Sequence, residues 1–303
     1  MQTFHSVFFY LIFTTGTSLG VAYLLGRFVK EPRDRAKLFL LPIVLPLVSF
    51  LVTHFLHPKV CGIDRALSWS GHFLCALESF FFPYVIAAIT ISLLYTVYCL
   101  IRRTIGYRKW LGLTGFDTSN EAFAQLVQEL CVQIGVALPR IFVMDLPRPV
   151  CAVFGIFRKN LVVSRNLLEM LEREELQGIV AHELAHMQRK DNILGWVWSL
   201  LKDLLVFSPF AVLSYRLYRR EVERDCDERA RRWLGGGYHL ASALVKHAKL
   251  GQAHLSINPT LYDGKSLTQR VSALLGEEPK DQWGLTIIAV TAVLLFIVFR
   301  SIC

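Results

Sequence analysis

Five consecutive residues carry the most specific chemistry in this chain: His182-Glu183-Leu184-Ala185-His186. On a helix, His182 and His186 are one turn apart and share a face. Two imidazoles at that spacing can bind one Zn²⁺, and Glu183 beside them can act as general base toward a metal-bound water. The pattern predicts a catalytic zinc site of the metallopeptidase type, with one Zn²⁺ per chain.

A catalytic zinc site takes three protein ligands and leaves the fourth position to water, so a third ligand must come from elsewhere. The best candidate is Glu223. Asp227 follows it at i+4, so the two carboxylates share one helix face. We expect Glu223 to bind the metal and Asp227 to accept the free ring N–H of a ligand histidine, which fixes its tautomer. Glu221 lies about 200° round the helix from Glu223 and should face elsewhere.

Further polar residues are weaker candidates. Asp191 either orients a ligand histidine or simply ends the helix, and the sequence leaves both interpretations open. Tyr238, His239 and His247 are candidate donors to an oxyanion, although a lone His or Tyr is more often structural. Cys226 is interpreted as a small buried packing residue rather than a nucleophile.

The elements that position these residues form an α+β pattern. Thr118 and Glu121 read as a capping box for a helix that ends at Gly135. The remaining predicted elements are a strand at Ile141 to Met144, a hairpin of Cys151 to Phe157 with Leu161 to Ser164, a helical stretch from about Asn166, and the pentad helix from about Arg173 to Arg189. Either hairpin strand is a candidate edge for pairing with an extended substrate.

The composition indicates a membrane protein, because charged residues make up only 19% of the chain against about 25% in soluble domains. Four apolar stretches are long enough, or nearly so, to span a bilayer. They are Val7 to Gly26, Leu38 to Leu56, Ser79 to Ile101 and Trp283 to Phe299. The sequence therefore predicts about four transmembrane helices.

Lysine and arginine placement predicts the topology. The loop from Arg27 to Lys37 is rich in basic residues, and more follow Ile101. This bias places both termini outside and the long middle segment in the cytoplasm. The predicted division is a three-helix transmembrane region (1–101), a cytoplasmic peptidase domain (102–282) and a C-terminal transmembrane helix (283–303).

Residues 193–215 are apolar in two short pieces separated by Lys202-Asp203. Neither piece is long enough to span a bilayer, so the segment is predicted to be membrane-associated or re-entrant. The alternative is a fifth span that buries the Lys202–Asp203 pair.

The net charge of +9 fits an anionic membrane surface better than a nucleic acid, since no basic stripe is interleaved with aromatic residues. The expected partners are a protein or peptide substrate and membrane lipid, with no nucleic acid; the oligomeric state is open and includes a homodimer. Cys61 and Cys75 are placed to form a disulfide on the outer side, whereas Cys131, Cys151 and Cys226 should stay reduced.

These residues resemble the BlaR/MecR-type (antirepressor) membrane zinc metallopeptidases over about residues 100 to 280. The resemblance is carried by the pentad with Arg189 and Asp191, by Glu223-x-x-Cys226-Asp227, by Phe154-Gly155-Ile156-Phe157, and by Leu267-Thr268-Gln269-Arg270-Val271. It implies an α-helical membrane protein with an inserted α+β, gluzincin-like zinc metallopeptidase domain facing the cytoplasm of a bacterial inner membrane. It also implies His182, His186 and Glu223 as zinc ligands and Glu183 as catalytic base.

The sensor members of that family carry an extracellular penicillin-binding domain after the last helix, and the 303 residues here contain none. We therefore expect a partner or lipid signal in place of a β-lactam. A second, weaker resemblance is to the Ste24/HtpX-type membrane peptidases, which also use a late Glu-x-x-x-Asp.

The expected function is a membrane zinc endopeptidase that cleaves cytosolic or membrane-proximal proteins, including a regulator or the chain itself. Two alternatives remain: an Ste24/HtpX-like quality-control or processing protease, and a non-catalytic signal transducer with a structural metal site. A di-iron membrane oxidase ranks below these, because it would need further Glu-x-x-His or His-rich motifs on neighbouring helices and the sequence shows none.

Overall fold

The computed structural model of the protein describes residues 5–56, 87, 90–102, 105, 120–146, 149–155, 159–253 and 264–277. The helices are α1 (His5–Gly26), α2 (Pro32–Leu38), α3 (Leu41–Leu56), α4 (Glu121–Ile134), α5 (Arg165–Met170), α6 (Arg173–Arg189), α7 (Asp191–Leu204), α8 (Pro209–Leu234), α9 (Tyr238–Ala253) and α10 (Gly264–Leu274). The strands are β1 (Arg140–Met144), β2 (Cys151–Phe154) and β3 (Asn160–Ser164).

The chain divides into two compact units. One contains the described residues within 1–106 together with 197–221, and the other contains those within 107–196 and 222–280. Helices α7 and α8 each contribute residues to both units. The predicted boundaries at 101 and 282 remain predictions. Several features predicted from the sequence lie wholly or partly outside the described residues: the final span, much of the third span, Cys61, Cys75 and Thr118.

In the first unit, α1 and α3 cover most of the first two apolar stretches and pack against each other. Residues 90–102, at the end of the third stretch, are helical. Among the residues that the structure describes, no helix combines the length and apolarity needed to cross a membrane. The four predicted spans therefore remain unconfirmed.

The segment 193–215 consists of most of α7, a turn at 205–208 and the start of α8. Its Lys202 and Asp203 form an ion pair, and the Asp203 side chain is fully buried. In the same unit, Glu221 on α8 is buried and pairs with Arg35, with Oε2 3.3 Å from the arginine Nε. The expectation that Glu221 faces away from the Glu223 side of the helix is confirmed.

The second unit contains a three-stranded sheet in the order β1-β3-β2. β3 pairs parallel with β1 and antiparallel with β2, so the predicted hairpin is confirmed. All five residues of β3 are buried, as expected for a central strand that is covered on both faces. The interpretation of β3 as an edge for substrate is therefore wrong; of the two hairpin strands, β2 lies at an edge of the described sheet, as β1 does at the other.

Helix α4 is capped differently from the prediction. The side chain of Asn120 accepts a hydrogen bond from the Phe123 N–H at 3.0 Å, so the N-cap is Asn120 and not Thr118, which lies outside the described residues. Asparagine is among the best N-cap residues because its carbonyl oxygen satisfies a donor in the first turn. The predicted end is confirmed, since Gly135 has φ 74° in the left-handed region.

The pentad helix α6 begins and ends where predicted. Glu172 and Glu175 form a reciprocal capping box at its start, and the Glu172 N–H donates to Glu175 Oε2 at 3.0 Å. One face carries fully buried Val180 and Leu184 into the core. The residues on the opposite side of α6 point away from that core. On this side the helix presents its two histidines to α8 and α10.

Candidate metal centre

Three side-chain atoms converge where α6 meets α8. His182 Nε2 and His186 Nε2 lie 3.2 Å apart on successive turns of α6. Glu223 Oε2 lies 3.5 Å from the first and 3.7 Å from the second. The structure therefore brings together the three predicted metal-ligating residues.

The donor set fits a zinc ion. Tetrahedral coordination with bonds of about 2.0–2.1 Å separates neighbouring ligand atoms by about 3.3 Å. The three observed separations of 3.2, 3.5 and 3.7 Å lie close to that value. Two imidazoles and one carboxylate form a donor set that zinc enzymes use, with a fourth position for water. The ligand roles themselves remain predictions.

The outward-facing ring nitrogens of both histidines meet carboxylates. Asp191 Oδ2 lies 2.8 Å from His186 Nδ1 in hydrogen-bonding geometry. Asp227 Oδ1 lies 2.9 Å from His182 Nδ1, as an ion-pair contact rather than a directed hydrogen bond. Each carboxylate favours a proton on Nδ1 and so leaves Nε2 to face the metal position. Of the two interpretations of Asp191, this contact supports the orienting role.

A left-handed residue places Asp191. Lys190 ends α6 with φ 61°, and it is the one non-glycine residue with positive φ among the described residues. This reversal lets α7 begin at once with Asp191, whose carboxylate reaches back to His186. Arg189 holds the same carboxylate at 3.1 Å. The predicted aspartate is therefore fixed by chain geometry and by charge.

Glu183 lies beside the ligands and touches the sheet edge. Its Oε2 accepts a hydrogen bond from the Val153 backbone N–H at 3.1 Å. Val153 belongs to β2, an edge strand of the described sheet, so this contact places the predicted base beside that edge. Cys226 is fully buried, with Sγ 3.4 Å from His186 Nδ1. Burial raises the pKa of its thiol to about 11, which fits the predicted packing role.

Arg270 is a site residue that the sequence reasoning did not identify. Its guanidinium makes two hydrogen bonds to Asp227, from Nε at 2.8 Å and from Nη2 at 2.7 Å. Nη1 also lies 3.3 Å from Glu223 Oε2, and Nη2 lies 3.4 Å from His182 Nε2. The only sequence signal was its place in the segment Leu267 to Val271, to which no role was assigned.

The site residues form a closely spaced set of charges. Burial by itself would raise the pKa of Glu223, but the close contacts with His182 and His186 and the charge of Arg270 hold it well below its usual range. Burial would lower the pKa of both histidines, yet the surrounding carboxylates raise it above the usual value. These contacts therefore favour an ionised Glu223 beside cationic groups.

The three candidate oxyanion donors all lie on α9. Tyr238 and His239 are exposed at the start of α9, where their rings meet edge-on with centroids 5.4 Å apart. His247 has Nε2 2.9 Å from the Pro149 carbonyl oxygen, and burial lowers its pKa. Their roles remain predictions.

Comparison with known proteins agrees with this site. Residues 84–274, more than half of the chain, match the family model described as BlaR1 peptidase M56. The fold and site are thus of the metallopeptidase class. The chain belongs to the BlaR1 peptidase M56 family.

Several curated proteins named "Protease HtpX homolog" are also similar. The protein from Caldanaerobacter subterraneus subsp. tengcongensis is 35% identical over 83 residues, which cover 27% of this chain and 28% of the relative. That from Dictyoglomus thermophilum is 34% identical over 117 residues (37% and 38%), and that from Syntrophotalea carbinolica 24% over 168 residues (44% and 60%). The chain spans less than two thirds of each relative. These matches support a membrane zinc metallopeptidase family but not the BlaR/MecR antirepressor subtype.

Proposed function

We propose that the protein is an integral-membrane, zinc-dependent endopeptidase that hydrolyses peptide bonds in protein substrates. The observation that carries this proposal is the convergence of His182 Nε2, His186 Nε2 and Glu223 Oε2, with Glu183 adjacent. Family membership supports the same chemistry. Both termini lie outside and the peptidase domain faces the cytoplasm, so the substrates are cytosolic or membrane-proximal proteins, including a regulator or the chain itself.

His182, His186 and Glu223 would hold the ion. When bound, Zn²⁺ supplies a Lewis acid and lowers the pKa of its water toward about 7. Glu183 accepts a proton from the attacking water and returns it to the leaving amine nitrogen. Because Val153 N–H engages Oε2 of Glu183, the carboxylate is oriented before substrate arrives. We assign the proton taken from the water to the second carboxylate oxygen of Glu183, Oε1.

The substrate segment adds as an extended strand along β2. In the antiparallel ladder, Val153 directs its N–H away from β3 and toward Glu183, so the open edge runs past the base. Main-chain pairing of this kind supplies affinity without requiring a particular side chain. A peptide substrate with proline at the pairing positions should resist cleavage, since proline has no N–H to donate. Cleavage at the rate of the unmodified peptide would contradict the strand-addition model.

Two other functions are kept as alternatives. An Ste24/HtpX-like quality-control or processing protease is favoured by the names of the similar relatives. It would cleave misfolded membrane proteins broadly, whereas a BlaR/MecR-type regulator would cleave one target at one site. A non-catalytic signal transducer with a structural metal site would keep its function when Glu183 is replaced by glutamine.

The test is zinc content per chain in detergent-purified wild type and in Glu223→Ala. Glu228→Ala is the matched control, because Glu228 lies on the same helix but pairs with Arg231. We expect about one zinc per chain in the wild type and control, and loss of zinc in Glu223→Ala. A wild type without zinc would overturn the proposal. Zinc retained by Glu223→Ala would show that another residue is the third ligand.

A further inference from the structure

We infer that Arg270 is a positioning residue of the metal centre, which acts through Asp227 to fix the ring of His182. The inference rests on the proposed zinc site. Arg270 lies on α10, whereas Asp227 and His182 lie on α8 and α6. The three side chains form a relay in which each member belongs to a different helix.

The contacts define the relay. Arg270 donates from Nε to Asp227 Oδ2 at 2.8 Å and from Nη2 to Oδ1 at 2.7 Å. The same Oδ1 lies 2.9 Å from His182 Nδ1. The Asp227 side chain is only 7% exposed and that of Arg270 only 18%. Asp227 is therefore clamped between a guanidinium and an imidazole with little access to water.

The pairing geometry explains why arginine is required. A single charge contact would neutralise the aspartate but leave its carboxylate free to rotate. The planar guanidinium fork binds both oxygens at once and so fixes the plane of the carboxylate. A fixed Oδ1 holds the proton on His182 Nδ1, which keeps Nε2 as the atom that faces Glu223 and His186.

A merely structural role for Arg270 makes a different prediction. In that case the guanidinium only compensates buried negative charge, and its removal would lower stability while leaving the zinc ligands in place. A positioning role changes the metal site itself. It also predicts that most of the effect of removing Arg270 is lost once Asp227 can no longer transmit it. The remainder comes from the direct contacts of Nη1 with Glu223 Oε2 at 3.3 Å and of Nη2 with His182 Nε2 at 3.4 Å.

The test measures the zinc dissociation constant of the full-length, detergent-purified protein by competition with a chromophoric chelator. Arg270→Gln is compared with Arg231→Gln, because Arg231 pairs with Glu228 at 2.8 Å in a solvent-accessible i,i+3 contact on α8. We expect zinc to bind about 10- to 100-fold more weakly to Arg270→Gln, as for other residues that orient metal ligands. Arg231→Gln should stay within about twofold of the wild type.

Two further measurements separate positioning from charge compensation. In an Asp227→Asn background, Arg270→Gln should weaken zinc binding by less than about twofold, since residues in one relay are not additive. The visible absorption spectrum of the cobalt(II)-substituted protein should change in Arg270→Gln and stay unchanged in Arg231→Gln. Arg270→Lys, which keeps the charge but loses the fork, should also bind zinc more weakly, and it serves if the glutamine variant does not fold.

The inference is overturned if Arg270→Gln or Arg270→Lys binds zinc as tightly as the wild type. It is also overturned if the loss is as large in the Asp227→Asn background as in the wild type. Either result with a zinc-binding wild type leaves the proposed function standing. A wild type that binds no zinc would instead refute the proposed function.

Discussion

Gly178 marks the closest approach of α9 to the pentad helix, and replacing it with alanine should destabilise the protein. A Cβ at this position would lie 3.0 Å from both Cα and N of Leu240 and 3.2 Å from its Cβ. Favourable contacts between carbon atoms begin at about 3.5 Å. The atoms in the way are mainly backbone, so α9 as a whole must shift rather than one side chain rotate.

Two opposing effects set the magnitude. Alanine is favoured over glycine in a helix interior by about 1 kcal/mol. Overpacking a tight contact costs about 1–3 kcal/mol. The cost of the added Cβ should lie toward the upper end of that range, because α9 is also held to α6 by Lys246, whose Nζ lies 2.8 Å from Glu175 Oε2. We therefore expect a net loss of about 1–2 kcal/mol for Gly178→Ala.

Gly195→Ala is the matched control, because Gly195 lies inside α7 and an added Cβ there meets nothing within 4 Å. This variant should gain about 0.5–1 kcal/mol from helix propensity alone. Thermal unfolding in detergent should show a Tm about 2–4 °C below the wild type for Gly178→Ala, and a Tm at or above the wild type for Gly195→Ala. Equal rises in both variants would refute the tight packing of α9 on α6.

Three further predictions concern the catalytic base, pH and the end of α10. Glu183→Gln should keep the zinc content of the wild type but lose peptidase activity by about 10²- to 10⁴-fold. Zinc analysis and a peptide-cleavage assay on the same preparation measure both quantities. Full activity would show that Glu183 is not the catalytic base. Burial would raise the pKa of Glu175, but hydrogen bonds from Lys246 and neighbouring groups lower it below its usual value. The ionised Glu175 carboxylate therefore stabilises the fold fully above the ordinary carboxyl pKa of about 4.3, and this stabilisation is lost as pH falls through the lower pKa of the folded state. The difference in Tm between wild type and Glu175→Gln should shrink on acidification. A difference that stays constant with pH would contradict this prediction. A Cβ at Gly237 would come within 3.1 Å of main-chain atoms at the end of α10, so Gly237→Ala should lower Tm more than Gly178→Ala, whereas Gly236→Ala, in open space, should not.

Local signals in the sequence were sufficient for much of the second unit. The pentad helix runs from Arg173 to Arg189 as predicted, because its boundaries depend on neighbouring residues alone. The same is true of the end of α4 at Gly135 and of the β2–β3 hairpin. The contact of Asp227 with His182 could be expected from the i+4 spacing to Glu223, since that spacing is set by the helix itself.

The errors concern choices that local sequence does not determine. Thr118 and Asn120 are both good N-cap residues, and only the first turn of α4 shows which one accepts the Phe123 N–H. From sequence alone, β3 could be an edge or a central strand. Its parallel partner β1 is not its neighbour in sequence, because β2 lies between them along the chain. Arg270 is 43 residues from Asp227 and on another helix, so no spacing rule connects the two.

The missed arginine also explains why the motif alone does not make a zinc site. The pentad supplies two imidazoles, but each has two nitrogens, and in this site Nε2 of both must be free to face the metal position. The carboxylates that make this choice come from α7 for His186 and from α8 for His182. Each carboxylate is held in turn by an arginine, Arg189 for one and Arg270 for the other. A chance His-Glu-x-x-His on an exposed helix would lack these partners, so the paired carboxylate–arginine supports distinguish this site from the bare motif.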